Sequence, residues 1–169
     1  MGSTKYQHCS VVVGSWLYTT GGIVDNILSN LVEAIDTNLL STNDSFTWVK
    51  KSSMKEERRS HGCHAGVFEG QEGIFVAGGY NADYEMLTSA EFYNLVGDKW
   101  QHIGSLNVGH AYFRMTMLGE DLVVSGGAGL ASTSVEIWNG STWDELNNLM
   151  VGRVSHAAVS VKAGKLSCA

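Results

Sequence analysis

Short apolar or β-branched segments recur along the chain, and each is followed directly by a pair of glycines. The pairs are Gly21-Gly22, Gly78-Gly79 and Gly126-Gly127, and the four residues before each of them are predominantly apolar, aromatic or threonine. Such a run ending in glycine predicts a buried strand followed by a turn. Paired glycines permit positive φ and close backbone approach where a side chain would clash. We therefore predict a strand that ends at each glycine pair.

Two further elements follow each glycine pair, after a polar stretch of variable length. The first is a glutamate between apolar or aromatic residues, and the second is a tryptophan that follows a turn rich in Asn, Asp, Ser and Gly. This order predicts a third strand, a hairpin turn and a fourth strand. The glutamates and tryptophans occur in the order Glu33 and Trp48, Glu91 and Trp100, and Glu136 and Trp143.

Fixed spacings connect one unit to the next. Ten residues after each tryptophan lies Arg58, His110 or Arg153, and three residues later lies His61, Phe113 or His156. Lys5 and His8 repeat the three-residue offset, and successive tryptophans are 52 and 43 residues apart. Constant spacing around the strands, with variable loops between them, is typical of structural repeats. Four short strands in a unit of about 45–50 residues predict a β-propeller blade.

In this combination of motifs the chain resembles the kelch-repeat family, over roughly residues 5–169. The resemblance implies an all-β fold of kelch-type β-propeller blades, four antiparallel strands each, in an incomplete ring. The chain departs from the family pattern in three ways. It has no proline, His110 and Phe113 replace the Arg and His in one unit, and the turn at 39–46 is extended. The predicted units are blade 1 at 5–53, blade 2 at 58–106, blade 3 at 110–150 and a partial blade 4 at 153–169.

The repeated arginines Arg58 and Arg153 have two interpretations, an anion-binding or catalytic role and a structural role. Their repetition at equivalent positions favours structure, because a buried charge must be paired. Glu33, Glu91 and Glu136 recur once per unit and are candidate partners. We expect the tryptophans to pack against the neighbouring sheet.

Composition narrows the function classes. The 169 residues suit one domain, and the net charge of −6 argues against a nucleic-acid partner, which requires a basic face. The basic run at 50–59 is interrupted by Glu56 and Glu57 and predicts a solvated loop.

No apolar stretch is long enough to span a membrane, and no signal peptide is visible. Three cysteines are unlike a secreted disulfide framework, so we expect a reducing, cytoplasmic location.

His8-Cys9 and the segment His61-Gly62-Cys63-His64 raise the question of a metal site. In a strand His61 and Cys63 share one face while His64 lies on the other, so the set does not converge. We predict no metal site, and no nucleophile elbow, phosphate loop or dinucleotide fingerprint is present. The chain is expected to bind no cofactor and to have no catalytic residue.

The resemblance to kelch substrate adaptors implies a partner-binding face lined by residues after the glycine pair and after the interblade arginine. Those positions hold Arg59, Ser60, Tyr80 and Asn81, and we add Tyr84 and Tyr112 from the adjoining loops. The resemblance implies a protein partner, either a substrate of a cullin-RING ubiquitin ligase or an actin-associated protein. The alternative is a kelch-propeller enzyme of the galactose-oxidase or sialic-acid-epimerase type that acts on carbohydrate.

Three and a half blades leave open sheet faces. These faces carry apolar residues that a closed ring would bury, namely Val11, Val13, Val159, Val161 and Leu166. Exposed edges and apolar faces recruit further chain. We therefore predict self-association through the open edges.

Overall fold

The structure is a computed structural model, and it describes residues 4–38 and 47–160. Within those residues it contains strands, turns and short 3-10 segments but no α-helix, and no helix long and apolar enough to cross a membrane. The strands are β1 (Lys5–Tyr6), β2 (Cys9–Val13), β3 (Trp16–Thr20), β4 (Ile23–Val24), β5 (Ile27–Leu28), β6 (Val32–Asp36), β7 (Val49–Lys51), β8 (Gly62–Phe68), β9 (Gln71–Ala77), β10 (Ser89–Asn94), β11 (Lys99–Ser105), β12 (Arg114–Leu118), β13 (Asp121–Ser125), β14 (Val135–Trp138) and β15 (Trp143–Glu145).

The strands form three four-stranded antiparallel sheets. Sheet 1 has the order β2-β3-β6-β7, sheet 2 the order β8-β9-β10-β11 and sheet 3 the order β12-β13-β14-β15. The prediction of an all-β chain with four antiparallel strands per unit is confirmed. A three-stranded ribbon, β1-β4-β5, was not predicted, and it uses the loop that follows Gly22. Strands β3, β9 and β13 each end at the residue before a glycine pair.

Alternation along β9 explains why its sequence is apolar on both faces. Ile74 and Val76 pack in the cluster towards sheet 1, whereas Phe75 and Ala77 pack in the cluster towards sheet 3. Successive side chains of a strand point to opposite faces, so a sheet covered on both sides has a continuous apolar run. Sheet 2 is therefore the central layer of the three.

The tryptophans contact the neighbouring unit to different extents. Trp100 is buried, stacks against Tyr93 at 5.0 Å between ring centroids, and donates a 2.8 Å hydrogen bond from Nε1 to the carbonyl oxygen of Ser52, at the end of sheet 1. Trp143 is buried as well. Trp48 directly precedes β7 and is only half-buried.

A pair between a basic residue and a glutamate repeats once in each sheet. Arg58 Nη2 lies 2.8 Å from Glu91 Oε1, and His110 Nε2 lies 3.0 Å from Glu136 Oε1, with all four side chains fully buried. In sheet 1 Lys5 Nζ lies 3.6 Å from Glu33 Oε2. The repeated glutamates are thus the partners that the sequence suggested. Arg58 is the basic residue in one pair, and His110 and Lys5 occupy the equivalent position in the other two.

Arg153 does not follow this pattern. Its side chain is exposed, and it makes no ion pair with any of the described residues. The expectation of a buried, paired arginine is therefore wrong at this position, because no glutamate strand follows it in the described part of the chain. Residues 156–160 also form no strand where the first strand of blade 4 was predicted. The rest of that partial blade and the turn at 39–46 lie outside the described residues.

Cys9 and Cys63 form a disulfide that the cysteine count did not predict. It joins β2 to β8, the first strands of sheets 1 and 2, across a sequence separation of 54 residues. Disulfides persist mainly in oxidising surroundings. The pair therefore weighs against the argument from cysteine usage, and the cytoplasmic location stays a prediction.

Candidate functional site

Each glycine pair joins its sheet to the segment that follows that sheet along the chain. The N–H groups of Gly22, Gly79 and Gly127 donate hydrogen bonds of 2.8, 2.7 and 2.8 Å to the carbonyl oxygens of Arg58, His110 and Arg153. A Cβ on Gly21 would lie 2.5 Å from the Arg58 oxygen and 2.8 Å from the His61 ring. Only glycine fits so close to the following unit.

The residue before the repeated His or Phe forms a second connection between units. Gln7, Ser60, Tyr112 and Ser155 all have φ between 53° and 55°. Their backbones are linked in sequence, because Ser60 N–H donates to Gln7 O at 2.8 Å, Tyr112 N–H to Ser60 O at 2.9 Å and Ser155 N–H to Tyr112 O at 2.8 Å. The side chains at these positions are thus held at a fixed spacing beside the glycine pairs.

Four of the six predicted partner-binding residues form a connected group beside the glycine pairs. The Arg59 guanidinium carbon lies 4.5 Å from the centre of the Tyr84 ring and 5.2 Å from that of Tyr80. The Tyr80 and Tyr112 rings meet edge to face at 6.0 Å. We call Arg59, Tyr80, Tyr84, Tyr112 and Gln7 the tyrosine–arginine cluster.

Gln7 is the member of the cluster that sequence reasoning missed. Its Oε1 accepts a 3.1 Å hydrogen bond from Arg59 Nη1, and its Nε2 donates one of 2.9 Å to the Tyr112 hydroxyl. The signal was present, because the offset that matches Lys5 to Arg58 also matches Gln7 to Ser60.

Asn81 has a structural role in the loop that carries Tyr84. Its Oδ1 accepts from the backbone N–H groups of Asp83 at 3.0 Å and Glu85 at 2.9 Å, and its Nδ2 donates to Glu85 Oε2 at 2.9 Å. Tyr84 is 75% exposed and has a φ of 62°. The loop is therefore braced by Asn81 while Tyr84 projects into solvent.

Ser60 lies beside the cluster, in the wall of a small cavity of about 150 Å³ that His8, His61 and Ser155 also line. Its hydroxyl is buried and has no hydrogen-bond partner among the described residues. His61 Nε2 is paired with the Thr20 hydroxyl at 2.8 Å. Burial and the nearby positive charge of Arg58 hold the pKa of His61 well below its ordinary value, so this imidazole is neutral at pH 7.

Most of the His and Cys residues considered as metal ligands have other partners, whereas His8 Nδ1 is buried without one among the described residues. Cys9 and Cys63 are joined to each other, and His64 Nδ1 lies 2.6 Å from the Ala65 carbonyl oxygen. Within residues 4–38 and 47–160, no group of three or more His, Cys, Asp or Glu side chains is arranged to hold a metal ion.

Arg59 and its neighbour Arg58 differ in whether a carboxylate balances their charge. Arg58 is matched by Glu91 and Glu56, whereas Arg59 makes no ion pair with any residue in the described ranges. Arg59 is also only partly buried. The cluster therefore presents a cation held by tyrosine rings, next to an exposed tyrosine.

No protein-family model matches the chain. No curated protein matches it either. Among solved structures the chain is similar to one titled "Structure of YjhT", with a TM-score of 0.68 and 12% sequence identity. The match covers 91% of this chain and 54% of that one, so this chain spans about half the length of that protein. At this identity the similarity concerns the fold alone.

Proposed function

We propose that this chain is part of a kelch-type β-propeller and that it binds another protein through the tyrosine–arginine cluster. The stacking of three four-stranded sheets through repeated glycine-pair contacts supports the propeller. The binding function is supported above all by the position of Arg59. Its guanidinium lies 4.5 Å from the Tyr84 ring and has no carboxylate partner among the described residues.

The cluster has the chemistry of an interaction hot spot. Tyrosine and arginine are enriched among the residues that contribute most to protein–protein affinity. Because the side chains already contact one another, little conformational entropy is lost when a partner binds. An unmatched guanidinium favours a partner segment with a carboxylate, which could also contact the exposed Tyr84 ring. Substrates of ubiquitin ligases and actin-associated proteins are the partners that the family resemblance suggests.

The test is quantitative affinity purification with wild type, Arg59→Ala, Tyr84→Ala and the control Lys99→Ala. Lys99 is exposed on β11, away from the cluster, and its substitution also removes one positive charge. We expect a partner that is retained by wild type and by the control but lost from both cluster variants. Direct titration of the purified partner should then show affinity losses of about 1–3 kcal/mol.

Folding must be checked in parallel. Exposed substitutions usually change stability by no more than about 0.5 kcal/mol, so Tyr84→Ala and Lys99→Ala should melt like wild type. Arg59 is half-buried, so the melting temperature of Arg59→Ala decides whether its loss of partner reflects binding. A partner that binds both cluster variants with wild-type affinity would show that this face is not the binding site. Turnover of a carbohydrate by the purified chain would instead support the enzyme alternative.

A further inference from the structure

A larger cavity lies between sheets 2 and 3, at the other end of the strands from the tyrosine–arginine cluster. Its volume is about 660 Å³, within the range typical of small-molecule sites. The turns around Glu69, Glu120 and Asn139 form its mouth. Strand β9 runs from this end at Gln71 to the glycine pair after Ala77, a span of roughly 20 Å. The two sites are therefore separate.

The floor of the cavity is largely aromatic. It is lined by Phe68, Phe75, Met117, Leu122 and Trp138. Phe68 is half-buried, and its ring lies 6.3 Å from Phe75 and 6.4 Å from Trp138 between centroids. Ring faces and edges fixed in this way offer an apolar surface that needs little rearrangement to receive a ligand.

Trp138 carries a polar group without a partner. Its side chain is 5% exposed, and its indole N–H has no acceptor among the described residues. The equivalent position in sheet 2 is Tyr93, whose hydroxyl donates a 2.5 Å hydrogen bond to Asp98. Buried polar groups are almost always paired in native proteins. The neighbouring Trp143, whose ring lies 5.5 Å from that of Trp138, also has an unpaired indole N–H, so this feature alone does not mark a ligand site.

The charge at the mouth has one sign. Glu69, Glu120 and Asp121 line the cavity and are exposed, and among the described residues that line it none is Lys, Arg or His. None of the three carboxylates forms an ion pair within the described part of the chain. An aromatic floor under an anionic mouth is complementary to a ligand with an apolar body and a cationic end.

We propose that this cavity binds a small organic amine, with its apolar body on Phe68 and Trp138 and its ammonium group among Glu69, Glu120 and Asp121. The site does not depend on the protein-binding function, since it lies on the opposite face. Tyramine is a suitable probe, and 3-(4-hydroxyphenyl)propionate is its matched control because it has a similar phenol body and the opposite charge.

The experiment follows binding of both probes to the 169-residue chain by calorimetry and by the indole N–H resonance of Trp138. We expect tyramine to bind and to shift that resonance, and the propionate to do neither. The variant Glu120→Gln/Asp121→Asn should weaken tyramine binding about tenfold, which corresponds to two exposed ion pairs. Glu145→Gln, exposed on β15 and outside the cavity, should bind tyramine like wild type.

The substituted carboxylates are exposed, so folding should survive in all these variants. Absence of tyramine binding would overturn the proposal. Equal binding of the two probes, or equal binding by the double variant and wild type, would also overturn it, because the acidic mouth would then select nothing.

Discussion

The Arg58 guanidinium and the Glu91 carboxylate lie 2.8 Å apart, and both side chains are completely buried. Glu91 also accepts hydrogen bonds from the backbone N–H groups of Lys55 and Glu56, and Arg58 donates to the Gly78 carbonyl oxygen at 2.8 Å. The pair therefore fixes the segment between sheets 1 and 2 onto sheet 2. Glu136 receives equivalent bonds in sheet 3: burial alone would raise its pKa, but hydrogen bonds from His110, Asn107 and Val108 outweigh burial and lower that pKa.

Arg58→Met should destabilise the fold strongly, because it leaves Glu91 buried without its charged partner. Breaking a buried ion pair typically costs about 3–5 kcal/mol of unfolding free energy. Arg153→Met is the matched control, since Arg153 occupies the equivalent position but is exposed, and it should cost no more than about 0.5 kcal/mol. Denaturant unfolding measures both values. Equal losses in the two variants would contradict the assignment of Arg58 as the buried member.

Gly21→Ala and Gly14→Ala separate backbone strain from close packing. Both glycines have a φ of 57°, but a Cβ on Gly14 meets none of the described residues within 4 Å, whereas on Gly21 it meets Arg58 O at 2.5 Å. Gly14→Ala should cost about 1 kcal/mol for the left-handed conformation. Gly21→Ala should cost about 1–3 kcal/mol more through overpacking against the next sheet. Similar thermal unfolding of the two variants would show that the glycine pair is not a packing contact.

The lowered pKa of His61 makes stability depend on pH. Below the ordinary histidine value of 6.5 the unfolded chain binds a proton that the folded chain does not. The free energy of unfolding therefore falls as the pH decreases from 6.5 towards the folded pKa, by at most about 1.4 kcal/mol per pH unit for one histidine. Burial also lowers the pKa values of His8 and His156, so they add to the same slope.

His61→Phe should reduce this acid sensitivity, and the chain itself suggests the substitution, because Phe113 occupies the equivalent position in sheet 3. Denaturant unfolding between pH 7.5 and 5 gives the slope, for which about 1.4 kcal/mol per unit is the upper limit from one group. Phe113→His should steepen it. An unchanged slope in both variants would mean that another group controls the acid response.

Reduction of the Cys9–Cys63 disulfide should lower the unfolding free energy by about 2–4 kcal/mol, because the bond restricts the unfolded chain. Thermal unfolding with and without reductant measures the difference. The Cys9→Ser/Cys63→Ser variant should match the reduced protein and should not respond to reductant. A wild-type protein with three titratable thiols, indifferent to reductant, would contradict the bond.

Self-association should occur through the apolar residues beyond sheet 3. Leu130, Met150 and Val159 are 97%, 102% and 80% exposed, and Val151 and Val154 are exposed as well. Exposed apolar side chains favour association when they form a patch. Size-exclusion chromatography with light scattering over a dilution series should show a concentration-dependent mass, which Val154→Lys should reduce. A monomer at every concentration would refute the prediction.

Local sequence determined the strands and their grouping. A run such as Ile74–Ala77 is apolar because both faces of its strand are covered, and the glycines after it are required by contacts that recur in every unit. The repeated Glu and Trp positions, such as Glu91 and Trp100, predicted the third and fourth strands of the four-stranded unit. These features depend on backbone geometry and burial within one repeat of about 45 residues. The spacing of apolar residues and glycines along the sequence reflects both directly.

Tertiary structure alone decided which of these residues meet across units. The Gln7–Tyr112 hydrogen bond spans 105 positions, and the Cys9–Cys63 bond spans 54. The exposure of Arg153, the turn-bracing role of Asn81 and the cavity beneath Trp138 likewise depend on how neighbouring sheets and loops are placed. A one-dimensional pattern records the period of a repeat but not the distance between two sheets, so such contacts arise only when the sheets pack.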